Sequence, residues 1–108
     1  MAIWQKRGGR AMGVSHSPQT DRLVRALLSL QDEGECYKLL EDLLTIREMQ
    51  DLAQRLEVAQ LLREKITYNE IAQRTRVSTA TISRVNRSLS YGAGGYEMVL
   101  ERLEQDHA

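Results

Sequence analysis

From Thr79 to Arg87 the chain carries hydroxyls and guanidiniums at helical spacing, with Thr79, Ala80, Thr81, Ser83, Arg84 and Arg87 standing in the stretch STATISRVNRSL. A hydroxyl donates and accepts, and a guanidinium forks onto two acceptors at once. These residue types suit hydrogen bonding to base edges and phosphate oxygens better than the making of covalent bonds. A helix face with that content and no bulky apolar side chain fits the major groove of duplex DNA, which admits one α-helix. We therefore expect Thr79, Ala80 and Ser83 to face bases, and Arg84, Arg87, Arg74 and Tyr68 to anchor phosphates. Asn69, Arg76, Ser78 and Thr81 complete the candidate DNA-binding set.

Those side chains are useful only if a scaffold holds them outward. In TYNEIAQRTRVSTATISRVNRSL, residues 67–89, Thr67 with Glu70 reads as a capping box that starts one short helix. Ser78 is a second N-cap, ahead of a helix from Thr79 to Leu89. Ile71 and Ala72 face inward from the first helix, Val77 plugs the turn, and Ile82 and Val85 pack the second helix back on the first. This is a helix-turn-helix. The plainer alternative is an amphipathic hairpin with a solvated charged face, but that needs Ala72, Val77 and Ser78 to coincide by chance. One residue departs from the pattern: Arg76 holds the turn position where glycine is usual because the chain there runs left-handed.

With 108 residues the chain makes one domain and a tail. It has no Phe and one Trp, so the core must be leucine-rich, and a core so small gains from pairing two copies. The net charge is zero, yet residues 63–87 set Arg63, Lys65, Arg74, Arg76, Arg84 and Arg87 against Glu64 and Glu70 alone. That local excess of four positive charges would attract a phosphate backbone. The single cysteine, Cys36, forms no intrachain disulfide and reads as a small buried hydrophobe, which suits a cytoplasmic protein. His16 and His107 lie in opposite tails, so neither a metal site nor a Cys/His pair is suggested. No apolar run approaches membrane-spanning length, and no signal-peptide pattern follows the basic start. With no paired carboxylates and no nucleophile beside a base, we expect neither an enzyme nor a cofactor.

Residues 1–16, basic at Lys6, Arg7 and Arg10, read as a flexible arm, either a disordered terminus or an electrostatic DNA contact; Met12 is a plausible initiator. Residues 17–105 form the domain. Ser17-Pro18 opens a helix lined by Leu23, Val24, Leu27, Leu28 and Leu30. Asp32 with Glu35 caps a second, carrying Tyr37, Leu40, Leu43 and Leu44. Thr45 with Glu48 starts the longest, roughly 46–64, with Met49, Leu52, Leu56, Ala59 and Leu62 as its stripe. After the hairpin, the glycines of SYGAGGY stop the helix and reverse the chain, and a closing helix from Tyr96 to Glu104 offers Met98, Val99, Leu100 and Leu103. No strand pattern occurs, so the fold class is all-α.

LLTIREMQDLAQRLEVAQLL, followed by the hairpin with TATISRVNRSL, resembles the tryptophan repressor family. RLEVAQLL, STATISRVNR and YGxGGY resemble its YerC/YecD-type branch. The likeness runs from Asp21 to Leu103. It implies a helical bundle intertwined between two subunits, a homodimer that sets two recognition helices in successive major grooves about 34 Å apart. It also implies a ligand pocket for a small amino-acid-like effector. Arg84 and Ser88 match an Arg and a Ser that line such a pocket, and Thr45 and Arg55 match a Thr and an Arg contributed by the other subunit. Where the tryptophan-binding protein has glycine, this chain has Val85, which would project into the space of an indole ring and so argues against tryptophan.

The expected function is a dimeric, sequence-specific transcriptional regulator of the repressor type. The ligand expected is one other than tryptophan, or none. The alternatives are a tryptophan-responsive repressor and a helical protein-interaction module that uses the hairpin. Salt separates the last from the rest, since DNA binding weakens steeply with salt and docking on apolar surface does not.

Overall fold

A computed structural model of the chain describes residues 16–107, and among them every regular element is a helix. The basic arm lies outside the described residues except for His16, whose Nδ1 stands 3.3 Å from Asp21. Contacts divide the chain into two units, residues 1–46 and 47–108.

The first unit holds α1 (Pro18–Leu28) and α2 (Glu33–Leu43). Ser17 caps α1 by accepting from the Thr20 amide, and the Thr20 hydroxyl answers by accepting from the Ser17 amide, with Pro18 at the first helical position. Asp32 caps α2 by accepting from the Glu35 amide, while the Glu35 carboxylate reaches back to the Gln31 amide. Neither helix buries a residue in the single chain. Cys36, expected to be buried, is only partly covered for that reason.

The second unit contains the core. It begins within α3 (Ile46–Arg63) and continues through α4 (Tyr68–Thr75), α5 (Thr79–Tyr91) and α6 (Gly95–His107). Val58, Ala59 and Leu61 of α3 pack with Ile71, Val77, Ile82, Val85 and Leu100, and Leu56, Leu62, Ile66, Ala72 and Tyr96 pad this cluster. The expected α3 stripe is therefore only partly right. Val58 and Leu61 carry the burial alongside Ala59, while Leu52 stays 46% exposed. The helix ends in a Schellman motif, with the Ile66 amide on the Leu61 carbonyl and the Lys65 amide on that of Leu62, and with Lys65 left-handed at φ 67°.

The turn between α4 and α5 has the shape the sequence suggests. Arg76 is left-handed at φ 61°, ψ 21°, and its amide donates to the Ala72 carbonyl at 2.8 Å. For a residue with a Cβ this conformation costs about 1–2 kcal/mol. Buried Thr75 holds the turn from inside: its hydroxyl donates to the Ile71 carbonyl at 2.8 Å and accepts from the Val77 amide at 3.2 Å. At the far end of α5, a Cβ on Gly92 would collide with the Ser88 carbonyl, and Gly94 sits at φ 89°, so the reversal needs both glycines. The closing helix is longer than expected at both ends. It docks through Leu100, 2% exposed, and through Arg63, which bridges Glu97 at 2.9 Å and Glu104 at 3.1 Å.

Candidate nucleic-acid interface

Helix α5 separates its residues by face. Ile82 and Val85 are 0% and 3% exposed, facing the core, whereas Thr79, Ala80, Ser83, Arg84 and Arg87 are all exposed. At 3.6 residues per turn, those five fall within an arc of roughly 140°. A core-facing stripe this narrow leaves a continuous polar surface, which is the arrangement a reading helix requires.

Not every expected contact residue is equally available. Ser78 and Thr81 form the N-cap: the Thr81 amide donates to Ser78 Oγ at 3.2 Å, and the two hydroxyls lie 3.1 Å apart. Their first task is to satisfy the free amides of α5, so they orient the helix. Thr67 caps α4 as expected, accepting from the Glu70 amide at 3.2 Å. Glu70, however, does not complete the expected box. Its Oε2 accepts from Nη2 and Nε of Arg74, at 2.8 and 3.3 Å, so the charge Arg74 offers a phosphate is already partly compensated by Glu70. Tyr68 and Asn69 stand exposed at the start of α4.

The charge count also needs correction. Arg63 is 81% covered at its side chain and committed to Glu97 and Glu104, so it adds nothing to the basic surface. Sequence reading could not see this, because both partners lie beyond the glycine turn. Of the six cations counted over residues 63–87, Lys65, Arg76, Arg84 and Arg87 remain without a side-chain partner. Three of these four belong to the turn and to α5.

Beside the exposed face lies a cleft of about 500 Å³ between α3 and α5. Asp51, Gln54 and Arg55 line it from α3, Arg76, Ser78, Thr81, Arg84, Val85 and Ser88 from the turn and α5, and Tyr96 from α6. Arg55, Arg84 and Ser88 of the one chain all line it. Thr45 is exposed immediately ahead of α3. Val85 contributes to the cleft wall but is otherwise a core residue, as the side chain's burial shows. Among the described residues no group of His, Cys, Asp or Glu is placed to hold a metal ion, and no helix is long and apolar enough to cross a membrane.

The chain's likenesses point to one family. A family model described as Trp repressor protein matches residues 18–104. An uncharacterized protein of Bacillus subtilis (strain 168), YerC, is 54% identical over 87 residues, covering 81% of this chain and 84% of its own. Among solved structures, a TrpR-like protein from Eubacterium eligens superposes with a TM-score of 0.78 at 53% identity, covering 82% of this chain and 91% of its own. A structure from Staphylococcus aureus, provisionally named a Trp repressor, gives 0.79 at 44% identity, covering 82% and 89%.

Proposed function

The chain belongs to the Trp repressor protein family, and from that premise we propose that it is a homodimeric, sequence-specific DNA-binding transcriptional regulator that acts as a repressor. The observation that carries this reading is the division of α5, with Ile82 and Val85 in the core and Thr79, Ala80, Ser83, Arg84 and Arg87 in solvent. In the bound state α5 lies in the major groove. Thr79, Ala80 and Ser83 meet base edges, and Arg84 and Arg87 meet phosphates on the flanks. Arg76, Tyr68 and Asn69 add backbone contacts from the turn and from the start of α4. Family membership supplies the regulatory role, and the unpartnered cations supply the attraction.

Homodimer formation is part of this proposal, and what a single chain leaves uncovered supports it. Leu23, Val24, Leu27, Leu28, Tyr37 and Leu43 of α1 and α2 are all exposed, and large apolar side chains gathered on short helices favour a covering partner. A second copy would cover them and place a second α5 one helical turn of DNA away.

The reading is tested by selecting bound fragments from random duplex DNA with the purified protein, then measuring affinity for the winner across salt concentrations. A two-fold symmetric site is expected, with log Kd rising linearly against log salt at a slope corresponding to several neutralised phosphates. Binding that fails to enrich any sequence, or that is insensitive to salt, would favour the protein-interaction module.

A further inference from the structure

Helix α5 runs past the Leu89 end that its sequence suggests, to Tyr91, and the extension adds a side chain to the exposed face. At 3.6 residues per turn, Ala80, Arg84, Arg87 and Tyr91 fall within an arc of roughly 60°, on the side away from Ile82 and Val85. Tyr91 is 85% exposed, more than any other large apolar side chain among the described residues, and its hydroxyl has no partner there. A lone exposed aromatic is ordinary on a protein surface, so exposure by itself assigns nothing. What distinguishes Tyr91 is its register and its place along the helix. The Gly92 amide donates to the Ser88 carbonyl at 2.8 Å, so Tyr91 belongs to the last closed turn of α5 and keeps the direction of that helix. It stands about 18 Å along the axis from Thr79, whereas Arg87 stands about 12 Å from Thr79. The major groove is about 12 Å wide. A helix that sets Thr79 and Ala80 over base edges therefore carries Tyr91 past the bases, to the sugar and phosphate of the groove's far edge.

We propose that Tyr91 is a further DNA-contacting residue, its hydroxyl donating a hydrogen bond to a backbone phosphate while its ring packs on the adjoining deoxyribose. The inference rests on the DNA-binding reading and extends it: α5 holds the duplex by a neutral contact at its C-terminal end as well as by cations. A phenol suits that place. Its O–H donates to a charged oxygen, and its ring offers flat apolar area with only two side-chain torsions to fix. Tyrosine is among the side chains that meet DNA phosphates. A neutral donor displaces no counterion, so the contact adds affinity without adding to the salt dependence, unlike those of Arg84 and Arg87. Phosphate and sugar are alike at every base pair, so Tyr91 adds nothing to sequence preference. It fixes instead how far α5 slides along its own axis in the groove.

The test compares wild type, Tyr91→Phe, Tyr91→Ala and Tyr91→Arg as full-length proteins, on the duplex enriched from random DNA and on a scrambled duplex, across salt concentrations. Tyr91→Phe should bind both duplexes about tenfold more weakly, the loss of a hydrogen bond to a charged acceptor, and Tyr91→Ala more weakly still. Both should keep the wild-type slope of log Kd against log salt. Tyr91→Arg should steepen that slope by about one unit per reading helix, because it sets a cation against the same backbone. Replacing single phosphates of the enriched site by neutral methylphosphonates should reveal a position in each half-site that weakens wild type but leaves Tyr91→Phe unaffected. The thermal midpoint and sedimentation of Tyr91→Phe should match wild type, because so exposed a side chain supports little of the fold. The proposal is overturned if wild type and Tyr91→Phe bind alike, or if every methylphosphonate weakens both by the same factor. It is equally overturned if Tyr91→Ala loses affinity only by weakening self-association, which would set Tyr91 against a second copy. A wild type that binds no duplex removes the DNA-binding reading and this contact with it, whereas a wild type that binds while its variants match it removes the Tyr91 contact alone.

Discussion

Single residues divide the work of α5, and the division makes distinguishable predictions. Arg87 is exposed, unpartnered and three residues beyond Arg84 on the same face, so Arg87→Ala should weaken binding to all duplexes alike and make the salt slope shallower by about one unit. Thr79→Ala and Ser83→Ala should change the preferred sequence, with discrimination at the affected base pair falling by about 1–3 kcal/mol in a competition band shift. If all three act identically, the separation of base-facing from phosphate-facing residues is wrong. Thr75 makes a stability prediction: Thr75→Val keeps the shape but strips two hydrogen bonds from the turn, and should cost about 1–3 kcal/mol in urea unfolding. Arg76 was legible as a left-handed residue because the turn geometry demands one. Thr75 was not, since a threonine near a helix end looks like surface until its hydroxyl is found facing inward. Arg63 was misassigned for a related reason, because a charge count along the chain cannot see carboxylates that the fold brings back from a distant helix.

At the scale of elements, short-range signals were read well and long-range ones poorly. Ser17, Asp32, Thr67 and Ser78 all cap the helices that their types and positions suggest, since a cap is a contact over three residues and the sequence contains both partners. The α3 stripe was read less well. Its spacing predicts burial along the whole helix, but only the last turns meet α4 and α5, so Val58 and Leu61 are buried and Leu52 is not. Because the cap of α5 sets the first turn that carries Thr79 and Ala80, Ser78→Ala should lower stability by about 1 kcal/mol. It should also weaken sequence-specific binding more than nonspecific binding, because fraying of that turn displaces the base-facing residues before the arginines further along. Parallel chemical unfolding and binding to specific and random duplexes would check this; equal losses on both duplexes would place the Ser78 hydroxyl on a phosphate instead.

The whole molecule is set by an imbalance between its two contact units. Residues 47–108 own the entire buried core, while α1 and α2 bury nothing and expose Leu23, Val24, Leu27 and Leu28. Two helices of eleven residues are too short to persist in water on propensity alone, so α1 and α2 need something to pack against. The proposed second copy would supply it, and each leucine so covered would return on the order of 1–2 kcal/mol. Sedimentation of the wild type should therefore give twice the chain mass of 12.3 kDa, and its thermal midpoint should climb with protein concentration, as it must when folding and association are linked. Leu23→Asp combined with Leu27→Asp should yield a monomer with frayed α1 and α2. Its affinity for a two-fold site should fall far more than twofold, because each α5 then binds alone without the effective concentration its tethered twin provides. A wild type that sediments as a monomer at tens of micromolar would leave the exposed leucines unexplained and would limit α5 to reading a single half-site. A double variant that remains dimeric would place the subunit contact elsewhere on the chain.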